Sequence, residues 1–72
     1  MMGVNLNRIR AYRTLHDLLQ EEVASFLGIT KQSYHLKEKG KNDFTSEEVG
    51  MLAKKFGVEP GELFKDNRHP LC

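Results

Sequence analysis

The sequence predicts an all-α fold of five short helices, and three observations carry that prediction. Apolar residues recur at helical spacing along most of the chain. No stretch alternates apolar with polar as a half-buried strand would. Each apolar cluster is bounded by residues suited to start or stop a helix. With 72 residues the chain is one domain, near the size at which a single core supplies only about 3 to 5 kcal/mol. Its 39% hydrophobic and 29% charged residues place it among ordinary folded domains rather than disordered segments.

The first helix follows Asn5, a good N-cap, and runs over about residues 6 to 14 with Leu6, Ile9 and the pair Tyr12 and Arg13 at helical spacing and a basic face opposite. A second begins at Gln20. Glu21 and Glu22 occupy its first turn, where the helix dipole favours negative charge, and Val23, Ala24 and Leu27 repeat behind them. Gly28 ends it as a residue that tolerates the left-handed conformation. Only Ile29 separates that glycine from Thr30, the N-cap of a third helix over about Lys31 to Lys39, which Gly40 closes. Tyr34 is assigned to the core side of this helix.

After the polar loop Lys41-Asn42-Asp43, Thr45 and Glu48 have the spacing of a capping box, with Phe44 as the preceding apolar staple. Val49, Leu52, Ala53 and Phe56 then share one face, and Gly57 stops this fourth helix. Pro60 suits the first position of a fifth, carrying Leu63 and Phe64. Residues 1 to 4 read as a leader, 5 to 64 as the helical domain, and 65 to 72 as a tail too poor in apolar residues to pack.

Several functions are excluded at this level. One cysteine, Cys72, permits no internal disulfide and fits a reducing cytoplasm. No apolar run approaches the roughly 18 residues of a membrane span, and Met1 to Leu6 lack the features of a signal peptide. His16, His35 and His69 stand far apart, without metal-ligand spacing, and no glycine-rich loop follows a strand. No enzyme, metal or cofactor is expected, and the histidines read as surface residues.

The second and third helices, joined through Gly28-Ile29-Thr30, form a helix-turn-helix candidate, because a short glycine-containing turn sets two helices at a steep angle. Such a corner can project its second helix into a major groove. The run from Gln20 to Tyr34, the following Lys37 to Lys41 and the segment Leu52 to Phe64 together resemble the Cro and lambda-repressor family of helix-turn-helix regulators over roughly Asn5 to Phe64. That resemblance implies a compact five-helix DNA-binding domain. It also implies that Gln20 anchors a phosphate or base, that Lys31, Gln32 and Ser33 read the operator, and that Lys39 and Lys41 flank the Gly40 turn near the DNA backbone. Glu38 matches an acidic residue with a structural role, pairing with an arginine.

Three features complicate plain operator reading. Leu19 stands where the family has a Ser or Thr cap, at a cost of about 1 kcal/mol. Leu36, beside His35, occupies an outward position that the family fills with a polar side chain. The net charge is only +1, with seven basic residues against four acidic up to position 41 and four against six beyond it. A DNA binder so weakly charged needs a partner subunit, or binds something else.

A free-standing domain of this length also resembles the small antirepressors, or modulators of repression, of temperate phages of Gram-positive bacteria. Two readings follow. In the first, Leu19, His35 and Leu36 form the centre, and Lys31, Gln32 and Lys39 the rim, of a surface that covers the DNA-binding domain of a phage repressor in the bacterial host cytoplasm. In the second, an autonomous Cro-like homodimer binds operator DNA through the third helix. Its subunits would meet through the fourth and fifth helices with Phe64 and Leu71.

Overall fold

The structure is a computed structural model that describes residues 3–65. Among these residues it contains α1 (Leu6–Leu15), α2 (Gln20–Leu27), α3 (Lys31–Glu38), α4 (Ser46–Phe56) and a 3-10 turn (Pro60–Leu63). The local signals act where the residue types place them. Asn5 accepts from the Arg8 backbone N–H at 3.1 Å. Thr30 accepts from Ser33 N–H at 3.0 Å. Thr45 and Glu48 close the reciprocal capping box, Thr45 Oγ1 accepting from Glu48 N–H at 3.0 Å and Glu48 Oε1 accepting from Thr45 N–H at 2.9 Å.

The α1–α2 link carries one feature with no glycine to explain it. Asp17 adopts φ 55, the one non-glycine residue with positive φ among the described residues. Asp is among the few side chains that visit this region at modest cost.

The fifth helix requires correction. Pro60 to Leu63 form a single 3-10 turn, and Phe64 leaves it in extended conformation at φ −103, ψ 151. The reason lies in the opposite end of the chain. Val4 and Phe64 form an antiparallel bridge, with Asn5 N–H donating to Leu63 O and Lys65 N–H donating to Gly3 O, each at 2.7 Å. Backbone pairing with Gly3 and Val4, residues read from sequence as a leader, takes the donors and acceptors that another helical turn would need. His69, Leu71 and Cys72, like the rest of the predicted tail beyond Lys65, lie outside the described residues.

The core forms where the four helices and the turn converge. Ile9 of α1, Val23 and Leu27 of α2, Tyr34 of α3, Val49, Leu52 and Phe56 of α4, and Leu63 all lose essentially all contact with solvent. Tyr34 is thus a core residue, as its position in α3 predicts. Phe44 meets it edge-on, ring centroids 5.9 Å apart, and ties the loop after α3 to the same core. Among the described residues no helix is long and apolar enough to cross a membrane.

Candidate functional site

The α2–α3 corner is set first by its backbone. Gly28 takes φ 77, and the N–H groups of Gly28 and Ile29 donate to Ser25 O and Ala24 O, so α2 ends in a tight left-handed cap. A side chain at Gly28 would meet nothing within 4 Å, so the glycine is needed for its backbone conformation and not for space. Two residues later Thr30 caps α3, whose direction is thereby fixed relative to α2.

At the other end of α3 that direction is locked by Glu38, which is only 2% exposed. One carboxylate oxygen accepts from Arg13 Nε at 2.8 Å and from the Tyr34 hydroxyl at 2.6 Å. The other accepts from Gln20 Nε2 at 2.9 Å and Arg13 Nη2 at 3.2 Å. Arg10 adds a bond from Nη1 to the Glu38 backbone carbonyl at 2.8 Å. Burial is the largest influence on the Glu38 carboxyl and opposes its ionisation. The bonds from Arg13, Tyr34 and Gln20, with the charge of Arg13, outweigh it and hold the group below the ordinary carboxylate range. Burial first, then its bond to Glu38, pushes the Tyr34 hydroxyl well up, while the separate bonds of Arg13 to Glu38 raise Arg13. The expected pairing of Glu38 with an arginine is present, and Arg13 is the partner.

On the solvent side, Lys31, Gln32, His35, Lys39 and Lys41 are exposed, whereas Ser33 is half-buried. None of the ion pairs among the described residues engages Lys31, Lys39 or Lys41. Gln20, Thr30, Lys31, Gln32 and His35 line an open recess of about 690 Å³ between the start of α2 and the outer face of α3. Next to it, Leu19 is 60% exposed and lines a smaller hollow with Arg13, Gln20, Glu21 and Lys31. Having no side-chain acceptor, Leu19 cannot cap α2. Only the return half of a capping box survives, with Glu22 Oε1 accepting from Leu19 N–H at 2.7 Å.

Two candidate residues differ from the sequence expectation. Leu36 does not project as an apolar anchor: it is half-buried. The chain leaving α3 turns back at Gly40, at φ 84, and the amides of Lys41 and Asn42 both bond the Leu36 carbonyl. Gln20 is turned inward, with both ends of its amide engaged, Nε2 on Glu38 and Oε1 3.2 Å from His35 Nδ1. Sequence reasoning also missed that Arg10 and Arg13 of α1 are both bonded to Glu38 of α3. The signal available was the resemblance of the Lys37 to Lys41 segment, which implies that Glu38 pairs with an arginine.

A family model described as helix-turn-helix matches residues 9–63. An HTH-type transcriptional regulator of Methanocaldococcus jannaschii is 40% identical over 58 residues, covering 81% of this chain and 88% of that protein. The transcriptional repressor RstR of the cryptic phage CTXphi in Vibrio cholerae is 43% identical over 61 residues, 85% of this chain. The matched region spans only 55% of that repressor. Among solved structures, the restriction-modification controller protein C.AhdI from Aeromonas hydrophila superposes with a TM-score of 0.71 at 30% identity, covering 82% of this chain and 86% of that one. The chain belongs to the helix-turn-helix family of Cro and lambda-repressor type and is a transcriptional regulator of that kind. Regulators of this type are not enzymes.

Proposed function

We propose that this regulator binds operator DNA as a dimer, with α3 in the major groove. The observation that carries the reading is the outward display of Lys31 and Gln32 at the start of α3, on a corner whose orientation is fixed by buried Glu38. Gln32 offers a donor and an acceptor matching N6 and N7 of adenine, and Lys31 suits guanine or phosphate. Ser33, half-buried, supplies a shorter contact. Lys39 and Lys41, on either side of the Gly40 turn, supply phosphate contacts. One module covers only about 600 to 1,000 Å² of DNA, so a second copy is required for tight binding. The surface assigned to it is α4 with the 3-10 turn, although Phe64 already packs partly against the core.

Mobility-shift titration across salt concentrations tests this. Gln32→Ala should cost about 1 to 3 kcal/mol at one base pair and relax the preference there. Lys39→Ala or Lys41→Ala should weaken binding to all sequences and lower the salt slope by about 1 each. Absence of any salt-dependent shift by the native protein would overturn the reading.

One observation favours a second reading, in which the same face covers a phage repressor. Leu19 remains 60% exposed beside the recess, an apolar group where an operator-facing surface has a polar one. Leu36 lends that reading little, because it is half-buried. If the protein is silent on operator but abolishes the shift of a repressor, and Leu19→Ser removes that effect, the antirepressor reading prevails.

A further inference from the structure

The recess between α2 and α3 contains a chain of hydrogen bonds whose polarity is fixed at one end. Glu38 is a carboxylate, able only to accept, and it already holds Arg13 and Tyr34. The Gln20 atom 2.9 Å from its oxygen must therefore be the amide nitrogen, since an oxygen there would face another oxygen. That assignment leaves the Gln20 carbonyl oxygen 3.2 Å from His35 Nδ1. A carbonyl cannot donate, so the bond exists only if Nδ1 carries the proton. The neutral imidazole then has its lone pair on Nε2, the other ring nitrogen of an exposed side chain.

His35 lies four residues after Lys31 and three after Gln32, so all three share one side of α3. They line the same recess. A ring that presents a lone pair there cannot bond a phosphate oxygen, which also only accepts. On base edges in the major groove the donors are the amino groups N4 of cytosine and N6 of adenine. Gln20 keeps one N–H of its amide nitrogen on Glu38, which leaves the second for a phosphate.

We propose that Glu38, acting through Gln20, holds His35 in the Nδ1–H tautomer, so that His35 offers the operator an acceptor and selects a base carrying an amino group. Gln20 is then a positioning residue, and His35 a specificity-determining one. The base-selecting half rests on the operator-binding reading above, whereas the tautomer half stands on the free protein alone.

Two measurements separate these halves. Nitrogen-15 long-range correlation spectra of the histidine-labelled protein, recorded well above the ordinary imidazole pKa of about 6.5, should show His35 protonated at Nδ1 and bare at Nε2. Gln20→Ala should abolish that pattern while the spectrum of the remaining residues stays folded, and His35→Ala assigns the signal. A native ring protonated at Nε2 overturns the proposal.

Selection from randomised duplexes should give one position restricted to cytosine or adenine with the native protein. With His35→Ala that position should become degenerate, with roughly 5- to 150-fold less discrimination. An unchanged base preference at every position overturns the base-selecting half. Enrichment of no duplex by the native protein overturns operator binding itself, and that half with it, while the spectrum still decides the tautomer.

Discussion

The two ends of this small domain are held by different physics. Where α1, α2 and α3 meet, a single carboxylate gathers Arg13, Gln20 and Tyr34, and Glu38 is the only buried charged side chain among the described residues. Under α4 and the 3-10 turn the buried side chains are apolar, Val49, Leu52, Phe56 and Leu63, and the ion pair of Lys37 with Glu48, at 3.0 Å, sits at the start of α4. Apolar packing is non-directional and rewards area, whereas hydrogen bonds to a carboxylate weaken steeply as their angles change. The end that must aim a recognition helix thus buries a direction-dependent cluster, and the end that closes the core buries only apolar side chains. Neither end leaves a buried side-chain polar atom unbonded among the described residues.

The largest effect expected is from Glu38→Gln. It leaves Arg13 partly buried without its counter-charge, at a cost of about 3 to 5 kcal/mol, comparable with everything a domain of this size has to lose. Helical circular dichroism at 25 °C and neutral pH should collapse. Acid should do the same to the native protein gradually. Because the folded carboxyl sits below its ordinary value, its contribution is complete above the unfolded pKa of about 4.3 and is lost as pH falls through that value toward the folded one. Glu48 adds to this loss in the same direction. Burial opposes its ionisation most, but the Thr45 amide and Lys37 together hold its carboxyl low.

Leu52→Ala sharpens the contrast from the apolar side. Removing a fully buried leucine should cost about 2 to 5 kcal/mol. Its cost, measured by urea unfolding at several pH values, should be the same at pH 7 as at pH 5, since no titrating group is lost. A pH-dependent cost would mean that the two ends are not independent.

Helix caps give smaller, opposed changes. Thr45→Ala breaks the capping box that starts α4 and should cost about 1 kcal/mol. Leu19→Ser should move the other way by a similar amount. It supplies an acceptor at a cap where only the Glu22 half of the box exists, and it removes an exposed apolar group. Thermal melts distinguish the two signs.

What could be read from sequence follows the same division between near and far. Asn5, Gly28, Thr30, Thr45 and Gly57 mark helix ends through bonds to residues a few positions away, so their chemistry is visible in a short window. The pairing of Glu38 with an arginine was legible only through the family resemblance of the Lys37 to Lys41 segment. Its choice of Arg13, and the inward turn of Gln20, depend on helices meeting across separations of 25 and 18 residues, which periodicity does not encode. The bridge between Val4 and Phe64 joins opposite ends of the chain, and it replaced the expected fifth helix. Leu36 faces away from the core by helical geometry, and the backbone that returns past Gly40 offsets that exposure.

The smallest effect tests whether charge alone explains the strength of the Glu38 cluster. Arg8 and Glu62 form an ion pair at 3.0 Å, much the same separation as Arg13 and Glu38, but both side chains are about half exposed. Water already solvates these charges, so holding them together gains little, and Glu62→Gln should change stability by less than about 1 kcal/mol. Arg8 also keeps its bond to the Glu62 backbone carbonyl, which the substitution leaves intact. Whatever remains should fade in high salt, where exposed charges are screened within a few ångströms, whereas the Glu38 cluster should not respond. A loss as large as that of Glu38→Gln would place the decisive ionic contact between α1 and the 3-10 turn instead. Burial would then no longer be what separates a structural ion pair from an incidental one in this domain.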